Sequence, residues 1–116
     1  MLIVEDDVDL RDLIAEFLND DYELVTAGTA DQGLAAARQA RPEIILCDLN
    51  MPGRIGLHTV REVRNDPTLS HVPIILMSGQ EQPAECSQLQ VVFLPKPFDM
   101  PKLMQVIQNA FAAAGN

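Results

Sequence analysis

The sequence has no tryptophan and few other aromatic residues, which make up 4% of its 116 residues. Hydrophobic residues nevertheless account for 47% of the chain, so the core must be built mainly from aliphatic side chains, methionine and alanine. A core of this kind suits layered packing of helices on a sheet. The length fits a single domain over residues 1–116 that needs neither disulfides nor a structural metal to hold it.

Basic residues are scarce as well, because 8 Lys and Arg stand against 17 Asp and Glu and leave a net charge of −9. This charge repels nucleic acids and anionic lipids, so we expect no direct nucleic-acid binding and no membrane association. No apolar stretch reaches the roughly 20 residues that span a bilayer. The two cysteines, Cys47 and Cys86, match neither a disulfide framework nor a metal-ligand spacing, and we expect a reduced, cytoplasmic setting.

Short apolar runs of strand length alternate with segments of helical period. The strands are predicted at residues 2–4, 24–27, 44–47, 72–77 and 91–94. On the first helix one apolar face is predicted to comprise Val8, Leu10, Leu13, Ile14, Phe17 and Leu18. Thr29 with Gln32 indicates a capping box for the second helix, and Asp99 indicates an N-cap for the last. Leu57, Val60 and Val63 trace the third helix, and the fourth is expected within residues 83–89.

Strict alternation of strand and helix, with continuously apolar strands, predicts a parallel sheet covered by helices on both faces. The fold class is therefore α/β: a doubly wound, five-stranded, flavodoxin-like sheet of order 2-1-3-4-5.

Polar residues follow four of the predicted strands. Glu5, Asp6 and Asp7 follow the first strand, Asp48 the third, Ser78 the fourth and Lys96, after Pro95, the fifth. Ligands of open parallel sheets bind beyond the carboxyl ends of the strands, where strand order reverses, which here lies between strands 1 and 3. We therefore expect the acidic residues to meet there.

Clustered carboxylates repel one another unless a cation intervenes, and hard oxygen ligands favour Mg²⁺. A lysine and a hydroxyl facing that metal supply what a phosphoryl group needs, namely positioning and charge neutralisation. Asp48 is the best acceptor, since carboxylates can act as nucleophiles that form aspartyl phosphates.

These residues resemble the receiver domain of bacterial response regulators. The resemblance rests on residues 2–7 (LIVEDD), residues 48–53 (DLNMPG) with Gly56, and residues 94–98 (LPKPF), and it covers essentially the whole chain. Each motif alone is weak, but their order at successive strand ends is specific.

The resemblance implies a role for each site residue. Asp48 would accept the phosphoryl group and, with Asp6, bind Mg²⁺ directly; the backbone carbonyl of Asn50 would be a third ligand, and Glu5 would act through water. Lys96 would pair with a phosphoryl oxygen, while Ser78 and Phe93 would form the conformational switch. Gly79 would keep the phosphoryl group accessible, and the bond between Lys96 and Pro97 would be cis.

The chain departs from the family pattern between Ser78 and Lys96, an interval about one helical turn shorter than usual. The fourth helix should therefore be short or distorted. This puts in doubt the partner surface that many receivers form from helix 4, strand 5 and helix 5, through which a homodimer would form. Few residues precede the first strand, which is also the pattern expected of a domain excised from a longer protein.

Plainer interpretations stay open at several positions. Asp7 could cap the first helix, Lys96 could be a solvated turn residue, Ser78 an ordinary strand-end hydroxyl, and Phe93 plain core. His58 and His71 are expected to be structural or solvated, and Met77, Met100 and Met104 to be packing residues.

The implied partners are a histidine kinase or a histidine phosphotransfer protein as donor, and an output domain or effector protein. The domain would not be an enzyme beyond catalysing its own phosphorylation and slow dephosphorylation. Two alternatives are a pseudo-receiver that binds a partner without phosphorylation and a Mg²⁺-dependent phosphohydrolase. The intact acidic set argues against the first. Hydrolases of the second kind use a paired Asp motif after one strand and usually a substrate-selecting cap, and nothing in this sequence supplies a cap.

Overall fold

The computed structural model describes residues 1–49, 56–79, 81–84 and 86–114. Strands and helices alternate strictly within these ranges: β1 (Leu2–Val4), α1 (Val8–Leu18), β2 (Val25–Ala27), α2 (Ala30–Ala40), β3 (Ile45–Asp48), α3 (Gly56–Asn65), β4 (Ile74–Ser78), α4 (Cys86–Leu89), β5 (Val92–Pro95) and α5 (Met100–Ala114). All strand pairs are parallel, and the sheet order is β2-β1-β3-β4-β5. The predicted fold class and strand order are confirmed.

Two hydrophobic clusters cover the two faces of the sheet, because successive side chains of a strand point to opposite sides. In β4, Ile74 and Leu76 belong to the cluster under α2, α3 and α4, whereas Ile75 and Met77 belong to the cluster under α1 and α5. All residues of β1, β3 and β4 are buried. This double coverage explains why these strands are continuously apolar rather than alternating.

The helix ends follow the predicted caps. The Thr29 hydroxyl accepts a hydrogen bond from the Gln32 amide at 3.1 Å, and the Gln32 side chain accepts one from the Gly28 amide at 3.2 Å. At α5, the Asp99 carboxylate accepts from the Lys102 amide at 2.7 Å. The four-residue helix α4 confirms that this part of the fold is short.

The predicted apolar face of α1 is only partly correct. Ile14 and Leu18 are buried, but Val8, Leu13 and Phe17 are 53%, 52% and 39% exposed. Consecutive residues of a helix are turned by about 100° from each other, so Leu13 and Phe17 sit beside the stripe that Ile14 and Leu18 form rather than on it. The helix packs on the sheet through a narrow stripe and leaves its flanking apolar residues in solvent.

The described residues include no helix long and apolar enough to cross a membrane.

Candidate functional site

Three carboxylates meet at the carboxyl ends of β1 and β3. These neighbouring strands pair Val4 with Cys47, so the residues that come next, Glu5 and Asp48, emerge side by side. Glu5 and Asp48 are 0% and 5% exposed, while Asp6 is exposed. One carboxylate oxygen from each of the three lies within 4.8 Å of the other two. The carboxylate cluster thus joins two buried groups and one group facing solvent.

Lys96 supplies the cation of the site. Its ammonium group donates a hydrogen bond to Glu5 Oε1 at 2.8 Å and lies 3.5 Å from Asp48 Oδ1. The backbone holds this position, since the Lys96 amide donates to the Ser78 carbonyl at 2.7 Å. The bond between Lys96 and Pro97 is cis. Lys96 therefore contacts two members of the cluster from the side of β4 and β5.

Burial is the main cause of the raised pKa of Glu5. Burial raises the pKa of Glu5 to about 7; the hydrogen bond from Lys96 opposes this, and the charge of Asp48 adds to it. For Lys96, burial alone lowers the pKa, but the hydrogen bond to Glu5 and the charges of Asp48 and Glu5 outweigh it, so the pKa is raised. Lys96 contacts only Glu5 and Asp48 of the three carboxylates, and the negative charge of the cluster that it leaves unbalanced attracts a further cation.

Residues around the cluster hold its loops in place. Arg11, on α1, donates a hydrogen bond through Nη1 to the Glu5 carbonyl at 3.2 Å, and Nη1 would lie 2.8 Å from a Cβ at Gly28. The guanidinium therefore crosses from the loop after β1 to the loop after β2 through space that a side chain at position 28 would crowd. On β3, the Cys47 thiol donates to the Asp48 carbonyl at 3.4 Å.

The family model for the response regulator receiver domain matches residues 1–108. The chain belongs to this family. Among its relatives, Protein PilH of Pseudomonas aeruginosa is 28% identical, with 97% of each chain covered. The response regulator PleD of Caulobacter vibrioides is 36% identical over 80 residues, which are 68% of this chain but 18% of PleD.

Solved structures of response regulators superpose closely on this chain. The chemotaxis response regulator CheY4 of Vibrio cholerae superposes with a TM-score of 0.88 at 30% identity, and 94% of this chain and 95% of CheY4 are covered. The receiver domain of NtrX from Brucella abortus gives 0.85 at 30% identity, with 96% and 97% covered. The fold is thus that of a receiver, a signalling module of two-component systems. Several curated relatives are far longer, and the chain covers 12% of the sensor histidine kinase TmoS of Ectopseudomonas mendocina.

The receiver brings together most residues that the sequence singled out. Glu5, Asp6, Asp48 and Lys96 share one site, as expected. Asn50, the expected third metal ligand, lies outside the described residues. Ser78 is fully buried at the end of β4, next to Met77, which pairs with Asp48. The cis bond before Pro97 was also expected.

Asp7 belongs to the helix rather than to the cluster. Its carboxylate caps α1 by accepting from the amides of Asp9 and Leu10 at 3.0 and 3.2 Å. Its own amide donates to Glu5 Oε2 at 3.3 Å. The structure therefore favours the capping role, with an indirect effect on the site through the position of Glu5.

The remaining candidates lie around the site or away from it. Phe93 is half-buried and packs against the cluster under α2 to α4, and a Cβ at Gly79 would meet no atom within 4 Å. His58 lies 3.7 Å from Glu62 on α3, and His71 is exposed on the connection to β4. Neither histidine belongs to the carboxylate cluster, as expected. Arg11 was missed, because a hydrogen bond to a backbone carbonyl leaves no motif in a sequence.

Proposed function

We propose that this receiver accepts a phosphoryl group on Asp48 in a Mg²⁺-dependent reaction and changes conformation in response. One observation carries the proposal: the nearly buried Asp48 carboxylate lies between two other carboxylates and the ammonium group of Lys96. Phosphoryl transfer requires mainly positioning and neutralisation of the charge on the phosphoryl oxygens, and this site supplies groups for both.

Asp48 is the member of the cluster best placed to be the nucleophile. Glu5 has both oxygens engaged, one by Lys96 and the other by the Asp7 amide, and its raised pKa favours the protonated form. Asp6 is exposed to solvent. Asp48 combines a central position with a small accessible fraction, which suits a group that must meet a donor yet protect its product from water.

The donor set fits Mg²⁺, which prefers carboxylate and carbonyl oxygens and keeps several water ligands. Asp6 and Asp48 would hold the ion directly, and Glu5 would act through water; Asn50 remains an expected ligand through its carbonyl. When bound, Mg²⁺ supplies positive charge next to the transferred phosphoryl group. The other residues position Asp48 and Lys96 and limit the access of water.

The transfer itself is a displacement at phosphorus. An Asp48 carboxylate oxygen forms a bond to phosphorus as the bond from phosphorus to the donor nitrogen of a phosphohistidine breaks. The electron pair goes to the imidazole, which is protonated from solvent. Lys96 exchanges part of its contact with Glu5 for a phosphoryl oxygen and so neutralises the transferred charge.

Phosphorylation of Asp48 would then shift the balance between two conformations of the strands β4 and β5. In the proposed response, the Ser78 hydroxyl donates to a phosphoryl oxygen and Phe93 moves into the space that is released. We propose that a histidine kinase or phosphotransfer protein is the phosphoryl donor. An effector protein or output domain is the target of the signal, and the exchange takes place in the cytoplasm. Beyond this self-modification and the slow loss of the phosphoryl group, no catalysed reaction is assigned.

The test is the intact mass of the chain after incubation with acetyl phosphate. A single phosphoryl adduct should form in the wild type with Mg²⁺, and it should be lost in EDTA or after Asp48→Asn. Asp12→Asn, which removes an exposed acidic group on α1, is the matched control and should behave as the wild type. Absence of any adduct, together with absence of Mg²⁺ binding, would replace the proposal by the pseudo-receiver; sustained turnover of phosphomonoesters would indicate the hydrolase.

A further inference from the structure

Arg64, in the last turn of α3, joins two chain connections through four hydrogen bonds. Nε donates to the Leu89 carbonyl at 2.8 Å and Nη2 to the Gln90 carbonyl at 3.1 Å. Nη1 donates to the carbonyls of Ser70 at 3.2 Å and Val72 at 2.7 Å. One side chain therefore ties the connection between α4 and β5 to the connection between α3 and β4.

The charge of this guanidinium is held by backbone dipoles. No Asp or Glu in the part of the chain that the structure describes forms an ion pair with Arg64, and burial lowers the pKa of Arg64. Arginine stays charged even so, because its ordinary pKa is far above neutrality. Arg38 makes the contrast, since it lies half-exposed on α2 and pairs with the carboxylates of Glu62 and Asp66.

The Arg64 bonds compensate for the shortness of α4. A helix of one turn is not stable by itself, and its last carbonyls have no partner within the helix. Here the Val91 amide donates to the Cys86 carbonyl at 3.2 Å, while Gln90 adopts a left-handed φ of 56° that is unfavourable for a residue with a side chain. The carbonyls of Leu89 and Gln90, at the end of this short helix, are two of the four that Arg64 binds.

Packing alone does not hold this corner of the molecule. A cavity of about 360 Å³ borders it, lined among others by Arg64, Gln90, Val92 and Ala110. Val92 is 42% exposed at the start of the edge strand β5. Hydrogen bonds therefore contribute more to fixing this corner than they do in the close-packed centre of the sheet.

The four hydrogen bonds of Arg64, called the clamp from here on, lie at the beginning of β4 and β5. The other ends of these two strands reach the carboxylate cluster. Val72 and Gln90 each stand two residues before a strand, β4 and β5 respectively. At the far end the Lys96 amide binds the Ser78 carbonyl. The pair of strands is thus tied at both ends, by Arg64 at the start and by a backbone hydrogen bond at the site.

We propose that Arg64 is a positioning residue that fixes the α4–β5 corner, residues 86–92, and so sets the resting position of Phe93 on β5. It acts through the backbone, because its four hydrogen bonds go to backbone carbonyls and none of them to Asp48 or Lys96. The part of this inference that concerns signalling rests on the proposed function. Loss of Arg64 frees the corner. The backbone hydrogen bond from the Lys96 amide to the Ser78 carbonyl still holds Lys96 at the site, so phosphorylation of Asp48 is retained.

Hydrogen–deuterium exchange of the unphosphorylated full chain tests the clamp without any phosphodonor. Arg64→Met keeps side-chain length and helix propensity but removes all four bonds, and Arg64→Lys keeps the charge without a planar group that can reach both connections. Both variants should speed exchange in residues 86–95 about tenfold or more and leave β1 and β3 nearly unchanged. Arg38→Met is the matched control and should alter neither region.

Two results would overturn the proposal: unchanged exchange over residues 86–95 in both variants, or a uniform increase across the sheet that marks a loss of global stability alone. If Arg64→Met fails to fold, Arg64→Lys decides.

A second comparison adds acetyl phosphate and Mg²⁺. The wild type and Arg64→Met should form the same adduct on Asp48, but the exchange difference that phosphorylation produces over residues 86–95 should appear only in the wild type. An equal difference in both proteins would overturn the role of Arg64 and leave Asp48 phosphorylation intact. An absent adduct in the wild type would overturn the proposed function, while the unphosphorylated comparison would still decide on the clamp.

Discussion

Lys96 Nζ lies 2.8 Å from Glu5 Oε1, although 91 residues separate the two in the chain. This contact places the Lys96 side chain, which is 26% exposed, against a Glu5 side chain that is 1% exposed. Asp48 lies on the other side of the same ammonium group at 3.5 Å. The lysine is therefore shared between the most buried carboxylate of the site and the proposed acceptor, and substitutions of these residues should have separable effects.

Replacing Lys96 tests its proposed role on the phosphoryl group. Lys96→Met should leave the chain folded but slow the formation of the Asp48 adduct by about 100-fold or more, because one group that neutralises the transferred charge is lost. The rate of adduct formation with acetyl phosphate at saturating Mg²⁺ measures the effect. Lys102→Met, an exposed lysine on α5, is the control. An unchanged rate in Lys96→Met would show that the ammonium group only stabilises Glu5.

The pKa of Glu5 predicts how stability depends on pH without metal. The pKa is raised to about 7 from an ordinary value of 4.5, so the native state holds a proton that the unfolded state has released. Stability should therefore fall as pH rises from about 4.5 to about 7, by an upper limit of about 3 kcal/mol.

Glu5→Gln isolates this effect, since the amide cannot titrate. Urea unfolding in EDTA at pH 5 and pH 8 should show a smaller loss of stability in the variant than in the wild type. Added Mg²⁺ should reduce the wild-type loss, because a cation favours the ionised carboxylate. Parallel pH curves for the two proteins in EDTA would assign the pH dependence to other groups.

Asp6 and Asp7 are adjacent in sequence but should respond differently to the same substitution. Asp7→Ala removes the N-cap of α1 and should cost about 1 kcal/mol of stability with little loss of Mg²⁺ affinity. Asp6→Ala should weaken Mg²⁺ binding about tenfold or more at nearly unchanged stability, because this exposed carboxylate belongs to the cluster. Urea unfolding and Mg²⁺ titration on both variants give the comparison. Equal losses of Mg²⁺ affinity would return Asp7 to the metal site.

Sequence pattern predicted the features that depend on burial and on residues at strand ends. Apolar runs give the five strands, and the residues that follow them give Glu5, Asp48, Ser78 and Lys96, because parallel strands bring their carboxyl ends together. The limits of β1 agree with the prediction and those of the other strands differ by at most two residues, and Asp48 and Ser78 proved to be the last residues of their strands.

Features that depend on backbone geometry could not be predicted from the pattern of residues in the sequence. Arg11 and Arg64 bind carbonyl oxygens, which every residue carries, so neither arginine has a partner that a sequence could reveal. Asp7 was an open choice between cap and ligand until the amides of Asp9 and Leu10 were located. Leu13 was assigned to the buried face of α1 because hydropathy shows which side chains are apolar but not how wide a stripe the sheet covers.

Two glycines should differ sharply in their tolerance of alanine. A Cβ at Gly33 of α2 would lie 2.7 and 2.9 Å from the two methyl groups of Val4 on β1, whereas a Cβ at Gly79 would meet nothing within 4 Å. Gly33→Ala should therefore destabilise the chain by about 1–2 kcal/mol, since overpacking against the buried strand outweighs the gain in helix propensity. Gly79→Ala should change the stability by less than about 0.5 kcal/mol. Urea unfolding measures both, and a stabilised Gly33→Ala would mean that α2 can move away from β1 at little cost.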